Sequence, residues 1–283
     1  MTITYDPNHP NYLNEADLRE ELTRVYDLCH GCRLCFKYCT SFPTLFSYVD
    51  AHDDQDAGRL TPAQQDQVVD ECFQCKLCYI NCPYIPGLHE WELDFPRLML
   101  RADATRQANG QVPLRKRMTT TMMGHTDALG KVATTFSPIA NAVMGAEPGS
   151  LVRKVVEKTS GVSSQRLLPP FAKSRFSTWF KKHVSPVMTK KQGKVALFPT
   201  CLVEYQEPGI GKDLINVYEK NNVECSLAEG ASCCGAPYLH SGDVEQFKKV
   251  GAKNVEALAA AVRAGNDIVV PQPTCGYILK KDY

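Results

Sequence analysis

CHGCRLCFKYC at residues 29–39 and CFQCKLCYINCP at residues 72–83 are two copies of one pattern, Cys-x2-Cys-x2-Cys-x3-Cys, the second closed by proline. This is the spacing that holds 4Fe-4S cubes in bacterial ferredoxins. Two intervening residues let a tight loop present successive thiolates to neighbouring corners of one cube. The fourth cysteine begins the next segment and points toward the other cube. The expected ligation therefore crosses between runs: Cys29, Cys32 and Cys35 with Cys82 for one cluster, and Cys72, Cys75 and Cys78 with Cys39 for the other. The competing readings are eight buried or disulfide-bonded thiols, or two tetrahedral zinc sites. Zinc motifs pair two CxxC elements rather than stacking four cysteines in eleven residues, and disulfides fit poorly in a reducing compartment. His30 reads as a solvated or hydrogen-bonding loop residue rather than a ligand. Arg33, Lys37 and Lys76 are candidates to moderate the clusters' negative charge, with plain solvation as the alternative.

Both runs follow helical texture. Asn14 with Asp17 predicts an N-cap and an acidic first turn, and Leu18, Leu22, Val25 and Leu28 recur at helical spacing, so a helix delivers the chain to Cys29. The polar stretch 50–58 reads as a loop. Thr61 and Pro62 open a second capped helix that ends near Glu71 and leads to Cys72. Beyond Cys82, residues 91–125 read as helical with an interruption at Pro113, and the chain to Gln192 as short helices and turns punctuated by proline and glycine.

At Lys194 the texture changes. KVALFPTC, VECSL and DIVVPQPTC read as strands, with helices over 211–221 and 243–264 between them, which predicts a small parallel α/β domain. The repeated Pro-Thr-Cys places Cys201 and Cys275 at equivalent strand exits. With the Cys233-Cys234-Gly235-Ala236-Pro237 element, four thiols come from three loops at the carboxyl ends of strands, where ligands of such domains sit. A metal or cluster site of Cys201, Cys233, Cys234 and Cys275 is the reading, against isolated redox thiols or inert cysteines. Cys225 reads as ordinary core.

With 283 residues, the chain can build cores without disulfide staples, so its 13 cysteines need a chemical explanation. The longest apolar run, Ala257 to Val262, is far too short to span a bilayer, and the N-terminus lacks the features of a secretory signal. The expected location is the cytoplasm, with peripheral attachment at the inner face of the cell membrane as an extension. The formal net charge of +1 hides an asymmetry: residues 1–100 carry 7 basic against 16 acidic side chains, residues 101–194 carry 17 against 4, and residues 195–283 carry 8 against 11. Such blocks speak to association with different partners rather than to fold. The middle block has no recognisable nucleic-acid motif, and nucleic acid is not an expected partner. Its aromatic residues Phe171, Phe176, Trp179 and Phe180 interleave with lysines and arginine, which fits an interfacial contact or core packing equally. Gly209 to Lys212 lacks the spacing of a phosphate loop and reads as a helix start.

The cysteine runs, together with GHTDALGKVATTFSPIANAVM, LLPPFAKSRFSTWF, FPTC, CCGAP and PTCGYILKKDY, resemble the cysteine-rich (CCG) domain iron–sulfur oxidoreductases over nearly the whole chain. That family includes iron–sulfur subunits of anaerobic glycerol-3-phosphate dehydrogenase, of heterodisulfide reductase, and of lactate and glycolate oxidation. The resemblance implies a ferredoxin-like domain that passes electrons and a region that usually carries two CCG repeats. Cys275 is followed by Gly276, Tyr277 and Ile278 where the family's repeat commonly ends in CxxC, and no second CCG follows, so the expectation is a truncated relative or a missing half supplied by a second chain.

The expected fold is α+β overall: a mainly helical two-cluster ferredoxin-like domain over 1–110, a basic helical linker over 111–193, and a partial α/β cysteine-rich domain over 194–283. The expected function is an iron–sulfur electron-transfer subunit of an oxidoreductase complex, not a complete enzyme by itself. It would hold two 4Fe-4S clusters and a further cluster or zinc at the CCG site. It would relay electrons between a flavin-containing dehydrogenase, or another redox protein, and a quinone or thiol acceptor. The alternatives are a heterodisulfide-reductase-like enzyme with catalysis at the CCG site, and a redox-sensing or interaction protein.

Overall fold

Asn14 accepts a hydrogen bond from the Asp17 amide and opens α1, Glu15–Cys32, whose Leu18, Leu22, Val25 and Tyr26 are buried along one stripe. The structure, a computed structural model, describes residues 3–188 and 190–283. It is mixed α and β, mostly helical, with one small sheet. The chain divides into two units: residues 1–112 with 239–244, and residues 113–238 with 245–283.

In the first unit α1 is followed by α2, Ser41–Asp50, a 3-10 turn at Ala57–Arg59, α3, Pro62–Asp70, the short α4, Leu77–Asn81, and α5, Phe95–Ala108. The expected capped helix is α3: Thr61 and Gln64 form a reciprocal capping box with Pro62 in the first turn. Phe42, Leu45 and Phe46 of α2, Val68 of α3, and Phe95, Leu98 and Met99 of α5 close the core with the α1 stripe. Arg101 of α5 is fully buried and donates to the Tyr12 and Asn11 carbonyls and to Asp17 Oδ2 at 2.8 Å. A charge with no exposure is tolerable because it is so fully paired.

Three sequence expectations shift here. α1 does not stop before the first cysteine but runs through Cys29 to Cys32, and Arg33 ends it in the left-handed region at φ 53°. α5 begins at Phe95 rather than near Trp91, because Asp94 caps it and Pro96 lies in the first turn. The helix α2 has no counterpart among the expected elements; its apolar Phe42, Leu45, Phe46 and Val49 are the signal that marks it.

The second unit begins with α6, Leu114–Gly124, α7, Thr126–Thr135, α8, Ser137–Met144, α9, Leu151–Ser160, and α10, Phe176–Phe180. Then come β1, Gly193–Leu197, α11, Cys201–Tyr205, α12, Pro208–Lys220, β2, Val223–Leu227, α13, Ala236–His240, α14, Val244–Arg263, β3, Asp267–Val269, and α15, Pro273–Tyr277. The strands lie in the order β2-β1-β3, all parallel, with Val195 opposite both Cys225 and Asp267. Phe176, Leu197, Val203 and Ile215 form a core against which Trp179 and Phe180 pack partly buried, so Phe176 is interior and the other two flank it. Gly211 sits where a Cβ would fall 2.7 Å from Phe176 and Val203, which explains the glycine at the start of α12.

Candidate metal centres

All 13 cysteines are free thiols. In the first unit, Cys29, Cys32, Cys35 and Cys82 line one cavity, together with the apolar Leu28, Leu34, Phe42 and Leu93. Cys72 interacts electrostatically with Cys39 and Cys75, and Cys78 with Cys35, Cys72, Cys39 and Cys75. The first three thiols of the first run thus share a cavity with the last cysteine of the second run, and Cys39 lies near Cys72 and Cys78.

The two runs reach this arrangement by different local structures. Cys29 and Cys32 occupy the last turn of α1, whereas Cys72 and Cys75 lie in irregular chain and Cys78 in α4. Gln74 and Lys76 both take left-handed backbone, φ 54° and 64°, and turn the second run tightly. Burial, reinforced by neighbouring thiols, pushes Cys35 up to about 12 and Cys29 and Cys78 well above the usual thiol value; burial pushes Cys72 up to about 11. Thiols so placed become thiolates when a cationic metal compensates the charge.

The polar neighbours are also fixed. His30 is buried with Nε2 2.9 Å from Asp50 Oδ1, and Arg33 pairs with the same carboxylate and lies over the Phe46 ring. Lys76 is buried and donates to Gln74 Oε1 at 2.9 Å. Gln74 Nε2 donates to the Pro96 carbonyl at 3.1 Å and approaches Cys72 Sγ at 3.6 Å. Gln74 is not legible as a site residue in the sequence, since nothing in its type or spacing announces a contact made through α5.

In the second unit the strand exits bring the other four cysteines together. Cys201 opens α11 after β1, Cys233 and Cys234 lie in the loop after β2, and Cys275 lies in α15 after β3. Cys233, Cys234 and Cys275 are buried and Cys201 is half-buried. Cys233 forms thiol hydrogen bonds with Cys201 and Cys234, and Cys234 with Cys275. The thiols of Cys201 and Cys234 share their hydrogen bonds with Cys233, so its thiol is driven down and theirs up.

Several residues that carry no signal in the sequence hold this quartet. Asp127 of α7 accepts from the Cys233 amide at 2.8 Å and from the Tyr205 hydroxyl at 3.1 Å. The fully buried Asn254 accepts from Ser232 N and donates to the Cys233 carbonyl, and the Tyr283 hydroxyl donates to the Cys234 carbonyl at 2.9 Å. Gly235 has φ 80°, and a Cβ there would lie 3.0 Å from Phe247. The glycine of the CCG element is thus required by backbone conformation and close approach together. Cys225 is half-buried on β2, and burial pushes it up to about 11.

These donor sets differ in fit. The first unit offers soft thiols around an apolar cavity, the surroundings an iron–sulfur cluster takes. The quartet offers donors suited to zinc or a cluster. Among the described residues, however, no three His, Cys, Asp or Glu side chains are arranged to hold a single metal ion.

Residues 195–280 match the family model described as a cysteine-rich domain, CCG. The chain is 30% identical over 163 residues to one of the subunits of anaerobic glycerol-3-phosphate dehydrogenase from Escherichia coli strain K12, covering 57% of this chain and 40% of that protein. It is 35% identical over 85 residues to lactate utilization protein A of Shouchella clausii, 30% of this chain and 34% of that one. It is 28% identical over 103 residues to one of the subunits of fumarate reductase (CoM/CoB) from Methanothermobacter marburgensis, 36% of this chain and 20% of that one. The matches thus span less than half of each relative's length. No solved structure matches. Residues 195–280 carry a cysteine-rich domain of this family, and the chain is homologous to subunits of oxidoreductases.

Proposed function

We propose, from the cysteine-rich domain and the two cysteine runs joined to it, that this chain is an iron–sulfur electron-transfer subunit of an oxidoreductase complex. The carrying observation is the cavity shared by Cys29, Cys32, Cys35 and Cys82, three thiols of one run with the last thiol of the other. Cys72, Cys75, Cys78 and Cys39 are the corresponding second set. Bound 4Fe-4S clusters would supply one-electron transfer at potentials tuned by hydrogen bonds and solvent exposure. The chain's own part is to hold the thiols, exclude water with Leu28, Phe42 and Leu93, and direct Gln74 at Cys72.

The names of the relatives support a dehydrogenase or reductase partner, and the reading assigns this chain a flavin-containing donor and a quinone or thiol acceptor. The quartet at Cys201, Cys233, Cys234 and Cys275 is proposed as a third redox or metal site. No helix among the described residues is long and apolar enough to cross a membrane. Leu114, Met118 and Met122 are nonetheless exposed on α6, which also carries Arg115, Lys116 and Arg117, and this supports peripheral attachment from the cytoplasmic side.

Iron and acid-labile sulfide analysis with EPR on anaerobically purified protein tests the reading. About eight irons per chain, with two interacting cubane signals on reduction, are expected for the first unit. Protein that contains zinc and no iron overturns it.

A further inference from the structure

The second unit has a broad cleft, open to solvent, at the carboxyl ends of β1 and β2. Four cationic side chains line it: Lys131 of α7, Arg175 at the head of α10, Lys181 just beyond α10, and Lys253 of α14. None of the four has an ion-pair partner among the described residues, whereas Lys191 and Lys248 of the same unit pair with Glu224 and Glu245.

The acids in the cleft are differently placed. Asp127 is engaged by Tyr205 and the Cys233 amide. Glu204 is buried, and its two oxygens accept the Ser177 amide at 2.9 Å and the Ser177 hydroxyl at 2.6 Å. Glu229 is exposed at the rim. Two of the three carboxylates are thus turned to internal donors, while Lys131, Lys181 and Lys253 are exposed and Arg175 is half-buried. Concave walls of low dielectric concentrate such a field on whatever enters. Phe180, Leu227 and Tyr205 add apolar wall beside the charges.

We propose that this cleft binds a small organic polyanion, a molecule with two or more carboxylate or phosphate groups on a short apolar body. A single anionic group would answer few of the cations, which come from three helices. A purely inorganic ion would leave the aromatic wall unused. Because Asp127 and Tyr205 line the cleft and also hold the Cys233 loop, the ligand sits beside the thiol quartet. The inference goes beyond the electron-transfer reading and does not depend on what the quartet holds.

Isothermal titration calorimetry of the full chain with propane-1,3-diphosphonate, and separately with tricarballylate, at fixed ionic strength tests it. Saturable one-to-one binding of at least one anion is expected, and the tighter one identifies the anionic group. Lys131→Gln with Lys253→Gln alters two exposed side chains, and circular dichroism checks that the fold is kept. This double variant should bind at least about tenfold more weakly, the loss expected for charge-assisted contacts. Lys158→Gln on α9, outside the cleft, should bind like the parent. Absence of saturable binding for both anions overturns the proposal, as does a double variant that binds unchanged or a Lys158 variant weakened equally. Iron-free protein that still binds either anion would remove the electron-transfer reading and leave this one standing.

Discussion

Gln74 is the side chain whose chemistry is most specific to its place. Its amide is fixed at one side by the Pro96 carbonyl and receives Lys76 at its oxygen, so the N–H directed at Cys72 Sγ is preoriented. A donor to a ligating sulfur favours the more negative, reduced state of a cluster. Gln74→Leu should therefore lower the reduction potential of the cluster assigned to Cys72, and redox titration followed by EPR should show the other cluster unmoved. A second single-residue effect concerns His240 in the first unit. Burial, with the nearby Lys76 charge, lowers it from 6.5 to about 4. Folding thus favours the neutral ring, so this contribution is complete above about pH 6.5 and is lost as pH falls toward 4. Denaturant midpoints at pH 7 and pH 5 should differ less in His240→Asn than in the parent protein. Neither role could be read from the sequence, because each depends on a contact with a residue distant in the chain.

Helices and strands show the opposite behaviour, since their signals are local. The Asn14 cap, the Thr61–Gln64 box and the alternation of strand and helix after Lys194 are all visible in the residues and all formed. What the pattern does not disclose is how α7 meets α11. A Cβ on Gly130 would fall 2.5 Å from the Tyr205 ring, which is the ring bonded to Asp127. Gly130→Ala should cost about 1–3 kcal/mol by overpacking, read from urea denaturation. Gly193→Ala, with nothing within 4 Å, should leave the midpoint near its parent value. The quartet is legible as four cysteines at three strand exits. Its support by Asp127 and Asn254 is not, because those residues lie on α7 and α14 and carry no spacing of their own. For the cysteine runs, the crossing predicts an effect between elements. Cys39→Ser should damage the cluster assigned to Cys72, Cys75 and Cys78, and Cys82→Ser the one assigned to Cys29, Cys32 and Cys35. EPR in which each variant altered the cluster of its own run would refute the crossing.

Across the molecule, charge is partitioned more sharply than fold. Most of the basic block of residues 101–194, from residue 113 on, belongs to the second unit, so the excess positive charge belongs to that unit. Vesicles containing anionic lipid should retain the protein at low salt and release it as salt rises, because exposed charges are screened beyond about 8–10 Å at physiological ionic strength. Sedimentation with such vesicles across a salt series reads this directly, and retention indifferent to salt would assign the attachment to the exposed apolar residues instead. The six residues 239–244, counted with the first unit although they interrupt the second, carry a consequence for how such a protein can be inherited. Gly242 in that segment lies so close to the Asp103 backbone that a Cβ would fall 2.3 Å from its carbonyl oxygen. Division of the gene between codons 112 and 113 would leave the first product without those six residues and the second with a surplus piece. A cut at that point would leave the first unit incomplete, and an exchange that kept it intact would have to carry residues 239–244 with it.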